Sequence, residues 1–77
     1  MITAEEIETI VQKTLKGAVV GAVDLTGTGD HFEVRVSTEA FRGKSLIEQH
    51  RMVNASLKEA LEDGRIHALK IKTLTPG

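Results

Sequence analysis

The chain has 77 residues, 40% of them hydrophobic, and a formal net charge of -1. That length supports one domain, which buries about 60% of the surface its unfolded chain exposes, and it leaves no room for a large enclosed substrate cavity. The charge balance does not call for a nucleic acid or an anionic membrane as partner, and the absence of cysteine excludes disulfides and any metal site built from the chain's own thiolates.

The opening MITAEEIETI is acidic and has no apolar h-region, so no signal peptide is expected. With no cysteine and no apolar run near the ~20 residues of a membrane span, the expected location is cytoplasmic and the expected partners include no membrane. Residues 3–16 read as a helix. Thr3 and Glu6 have capping-box spacing, Ile7, Ile10, Val11, Thr14 and Leu15 form an inward stripe, Glu5, Glu8, Gln12 and Lys13 face water, and Gly17 stops the helix. Residues 18–26 read as a strand in which Val19, Val23 and Leu25 share one face, with Gly21 between them. The TGTGD turn at residues 26–30 leads into a strand over residues 31–37. There Phe32, Val34 and Val36 point one way and His31, Glu33 and Arg35 the other. The short turn makes the pair an antiparallel hairpin.

Residues 38–44 form an irregular connection that Phe41 anchors and Gly43 turns into a helix start. The long helix spans residues 45–61. Ser45 and Glu48 form its capping box, and Leu46, His50, Val53, Leu57 and Leu61 lie on one face. Asp63-Gly64 ends it, since glycine takes the left-handed conformation such a stop needs. Residues 66–73 read as the last strand, with Leu69 and Ile71 opposite Lys70 and Lys72. The order helix, strand, strand, helix, strand predicts an α+β sandwich with the helices on one face of a small three-stranded mixed sheet. A strand–helix–strand crossover makes the last two strands parallel. It therefore places the starts of those strands, near His31 and His67, at one end of the sheet.

The three histidines are the only ordinary metal ligands besides carboxylates, and none shares a short ligand spacing. His50 sits on the apolar stripe and reads as a packed structural residue. His31 and His67 read individually as strand-end residues, but the crossover brings them to one rim. Strict alternation puts His67 on the Leu69 face and His31 opposite Phe32, so pattern alone leaves their convergence open. No nucleophile elbow, thiol or phosphate loop is present, and no enzymatic activity is expected. A nucleic-acid reading would use Arg42, Lys44, Arg51, Lys70 and Lys72. It lacks the GxxG clamp of KH modules and any aromatic stacking platform.

FEVRVSTEAFRGKSLIEQHRMVNASLKEAL, with IHALKIKTLTP after it, resembles the BolA family over nearly the whole chain. The most specific pieces are the FRGKS run from Phe41, QHRMVN from Gln49, and HALKIKTLTP from His67. The resemblance implies a KH-like (type II) α+β fold and partnership with a monothiol (CGFS) glutaredoxin, with which a [2Fe–2S] cluster is shared. The glutaredoxin side gives its cysteine and a glutathione thiolate, and this side gives His67. The second ligand on this side comes from the turn before the second strand, where many relatives carry a cysteine; here the matching residue is His31. His50 matches a recurrent family histidine that is structural. Two imidazoles on one iron give a Rieske-like site of raised potential, and no cluster is expected on the isolated chain. Ligation needs neutral imidazoles, so sharing weakens as pH falls through the histidine range. BolA relatives are also described as transcription regulators linked to stress and cell shape, which implies weak DNA binding as the alternative. An exposed strand edge offers a route to a homodimer when the protein is free.

Overall fold

The computed structural model describes residues 2–76; Met1 and Gly77, the ends of the one-domain expectation, lie outside the described residues. Thr3 caps the first helix, α1 (Ala4–Thr14), with the full capping box: its hydroxyl accepts from the Glu6 N–H while the Glu6 carboxylate accepts from its own N–H. Ile7 and Val11 are buried and Thr14 is exposed, so the inward stripe is narrower than the sequence pattern predicts. The helix stops before Leu15, two residues short of the predicted end, and Leu15 itself is buried.

Strands β1 (Val19–Asp24) and β2 (His31–Ser37) pair antiparallel, and β2 pairs parallel with β3 (Ala68–Leu74). The sheet order β1-β2-β3 puts β2 in the centre. This is the α+β arrangement the element order predicts, with β1 and β3 both shifted from their expected bounds. On β2, Phe32, Val34 and Val36 are buried against the helices. Their neighbours on that inner face are Val20 and Ala22 on β1 and Leu69 and Ile71 on β3.

On β1, Val19, Val23 and Leu25 share a side, as alternation predicts, and that side is exposed while Val20 and Ala22 pack inward. Glu8 is half-buried rather than free in water, because its carboxylate accepts from the Ala22 N–H at 2.9 Å. A strand N–H points either to its partner strand or to the sheet edge, so α1 covers one edge donor of β1.

After β2, a 3-10 turn (Glu39–Phe41) buries Phe41 completely, and Gly43, at φ +79°, swings the chain toward the next helix. Ser45 and Glu48 form the second capping box, as the spacing predicts. The single helix expected over residues 45–61 is two helices, α2 (Leu46–Ser56) and α3 (Lys58–Glu62). The break has a local cause. The Ser56 hydroxyl donates to the Val53 carbonyl, and the Leu57 N–H is shared between Val53 and Asn54 carbonyls, which competes with a regular α ladder. Leu57 is buried at the break, with Val53 and Ala60 on either side. Leu46, expected on the same stripe, lies in the first turn and is exposed. Gly64, at φ +83°, ends α3. Ile66, expected as the first residue of the last strand, lies before β3 and is part of the core instead.

Candidate functional site

The parallel pairing of β2 and β3 sets His31 opposite Ala68, so His67 stands beside the end of β2. The Asp30 carbonyl accepts from both the His67 N–H at 2.7 Å and the Ala68 N–H at 3.1 Å. This double contact precedes the regular ladder, and it turns His67 out of the alternation that strict strand geometry would impose. The two imidazoles converge: their ring centroids lie 5.5 Å apart, inclined by 51°. His67 is exposed and His31 is partly exposed, so both rings are reachable from solvent.

The preceding turn holds His31 in place. Asp24 gathers the loop by accepting from the backbone N–H groups of Thr26, Gly27 and Gly29. The Asp30 carboxylate accepts from the Thr28 hydroxyl and contacts His31 Nδ1 at 2.8 Å. The Thr28 hydroxyl, and after it His31, hold the Asp30 carboxyl down to about 2. At neutral pH Asp30 is therefore a carboxylate and only an acceptor. His31 Nδ1 must be the donor, which leaves the Nε2 lone pair of a neutral His31 free. A carboxylate that fixes the tautomer and orientation of an imidazole in this way is the usual second partner of a metal-binding histidine.

Two imidazoles bound to one tetrahedral metal ion, with metal–nitrogen bonds of ~2 Å, hold their centroids about 5 Å apart. The observed 5.5 Å and the free Nε2 fit such a pair. Among the described residues no group of three or more His, Cys, Asp or Glu side chains could hold a metal ion. The pair offers half a coordination shell.

His31 also opens the outer face of the sheet, where strand pairing sets the side chains in rows. The row of Val23, Glu33 and Lys70 comes next, then Gly21, Arg35 and Lys72, then Val19, Ser37 and Leu74. Glu33 sits under its neighbours, bonded to Arg35 at 3.1 Å and 3.6 Å from Lys72. Burial pushes its carboxyl up, but the Arg35 hydrogen bond and the charges of Arg35, Lys72 and Lys70 outweigh this and hold it below its ordinary value.

The basic residues of the nucleic-acid reading divide between two surfaces. Lys70 and Lys72 are on the outer sheet face, while Lys44 and Arg51 line a shallow depression beside α2 with Glu48. Arg42 is bonded through two nitrogens to Glu39 and through one to the Pro76 carbonyl. His50 is half-buried on α2. No helix among the described residues is long and apolar enough to cross a membrane.

Residues 3–77 match the family model described as "BolA-like protein". "Protein BOLA2" of Arabidopsis thaliana is 45% identical over 94% of this chain and 76% of its own length. "Acid stress protein IbaG" of Escherichia coli is 35% identical over 92% of this chain and 81% of its own. The solved structure of BolA1 from Arabidopsis thaliana superposes with a TM-score of 0.85 at 30% identity, covering 99% of this chain and 95% of that one.

Proposed function

The chain belongs to the BolA-like protein family, and from that premise we propose that it is a non-enzymatic adaptor that pairs with a monothiol (CGFS) glutaredoxin and contributes His67 and His31 to a shared [2Fe–2S] site. The observation that carries this reading is the convergence of two solvent-reachable imidazoles at one rim in a chain without cysteine. Such a chain supplies nitrogen ligands only, so the sulfur must come from a partner: the glutaredoxin cysteine and its glutathione.

The residues divide the work. His67 ligates from the start of β3, where the Asp30 carbonyl fixes its backbone. His31 ligates through Nε2 while Asp30 holds Nδ1–H, and Asp24 keeps the turn that carries Asp30 and leads into His31. When bound, a cluster with two imidazoles on one iron has a higher reduction potential than one held by thiolates alone. No residue on this side performs bond chemistry. The role is to hold, tune or pass on what the partner carries, in iron–sulfur trafficking or iron and redox regulation.

The test is visible absorption and circular dichroism of a cluster-loaded monothiol glutaredoxin mixed with this protein, wild type beside His67→Ala and His31→Ala. The wild type shifts the spectrum toward a Rieske-like form and both variants fail to do so while keeping their far-ultraviolet spectra. If only His67 matters, the second ligand is another group. An unchanged spectrum with the wild type overturns the reading, and a titration with duplex DNA at physiological salt then becomes the decisive measurement.

A further inference from the structure

We propose that the outer face of the sheet, from the histidine pair to the row of Val19, Ser37 and Leu74, is the surface on which the glutaredoxin docks, and that it takes a contact patch in which carboxylates flank an apolar side chain. This inference rests on the adaptor reading above. Specific protein interfaces commonly bury about 800 Å² on each partner, and two imidazole rings at a rim fall far short of that. The surface that adjoins them is this face, which runs about 20 Å along β2 from His31 to Ser37.

Three features of the face point to an occupant. It is apolar without cover: Val19 is 73% exposed, Leu74 65% and Val23 52%. It also has a gap. Gly21 has no positive φ, and a Cβ placed there would meet nothing within 4 Å. The backbone does not need glycine at that point, and glycine weakens a strand. What its missing side chain leaves is a groove of about 240 Å³, walled by Val19, Arg35, Lys72 and Leu74.

The third feature is charge. Arg35, Lys70 and Lys72 share the face with one carboxylate, Glu33, which is already paired and whose side chain is only 10% exposed. The outward side chains of the strands thus carry a formal +2, and Asp30 at the histidine rim leaves +1 over the whole surface, on a chain whose net charge is -1. A second copy presenting the same face would meet its own cations. Nucleic acid would meet phosphate-binding charge but no aromatic platform for bases, and the groove beside the cations is apolar. A partner with carboxylates around an apolar side chain satisfies both parts.

The experiment is calorimetric titration of a cluster-free monothiol glutaredoxin into wild type, Gly21→Val and Lys72→Glu. Valine is a better strand residue than glycine, so Gly21→Val unfolds no more easily than wild type yet fills the groove and weakens binding about tenfold or more. Lys72→Glu weakens binding with the groove still open, and the wild-type affinity falls as salt is raised. If both variants bind as wild type does, the docking face is overturned while the adaptor reading stands. If the wild type binds no cluster-free glutaredoxin, the docking face is overturned, and the spectral titration with the cluster-loaded form decides the adaptor reading separately. If sedimentation shows a wild-type dimer that Gly21→Val dissolves, or if a DNA duplex binds and Lys72→Glu abolishes that binding, the face belongs to another occupant and the proposal is overturned.

Discussion

The two faces of this sheet are drawn from alternate residues of the same strands, yet they obey different demands. On β2, Phe32, Val34 and Val36 are sealed under the helices, while His31 before them and Arg35 between Val34 and Val36 reach solvent. The inner face is answerable to shape, because interiors are packed to crystal density. The outer face has no neighbour in the chain to satisfy, so its residues are free to be histidines, cations and an isolated glycine. One seven-residue strand thereby carries the core and the site without mixing them.

Substitutions that hit one face and spare the other put this division to the test. The largest effect is expected from Phe32→Ala, which leaves a cavity costing about 3–5 kcal/mol. That is a large share of the stability of a domain this small, and it shows as a collapse of the urea midpoint. Ser45→Ala acts on the helical layer that closes the inner face. Loss of the cap costs about 1 kcal/mol, and the spectral response with cluster-loaded glutaredoxin should be retained.

Asp30→Asn works at the rim, and its effect depends on pH. The carboxyl of Asp30, held down to about 2 from its ordinary 3.8 by the Thr28 hydroxyl and then His31, binds a proton less readily in the folded state than in the unfolded chain. Its contribution is present above about pH 4 and is lost as pH falls from there toward 2. Melting temperatures of wild type and Asp30→Asn should therefore draw together over that range. A gap between them that stays constant through it would show that Asp30 acts otherwise. The smallest effect is expected from Lys70→Ala, on β3, outward and exposed: within about 0.5 kcal/mol by the same urea titration. If Lys70→Ala costs as much as Phe32→Ala, the two faces are not separate.

Much of this was legible in the sequence because local rules decided it. Both capping boxes follow from a hydroxyl and a carboxylate three residues apart, and the parallel placement of β3 follows from the crossover. The face assignment of β1 was not legible. Alternation says which residues share a side, and it grouped Val19 with Val23 correctly, but only the pairing of Val20 with Val36 and the cover of α1 decide which side is inside. Val19, Val23 and Leu25 ended up outside, Val20 and Ala22 inside. The break at Leu57 was hidden because apolar spacing continues through it from Val53 to Ala60. The convergence of His31 and His67 was half legible: topology brought them to one rim, but strict alternation sent the rings to opposite faces. What resolves it is the Asp30 carbonyl taking two N–H groups at once, a contact between segments far apart in the chain that no periodicity encodes.

The Glu8 carboxylate on the Ala22 N–H bears on how such a molecule survives at high concentration. A small sheet with a bare apolar face is a template on which strands from other molecules add in series, each new strand exposing a fresh row of donors. At β1 that row is interrupted by an acidic side chain from the chain's own first helix. An incoming strand must displace a charged acceptor before it gains its first hydrogen bond. Growth from that side is penalised at the first step, so a bare outer face does not by itself make that edge the start of a fibre.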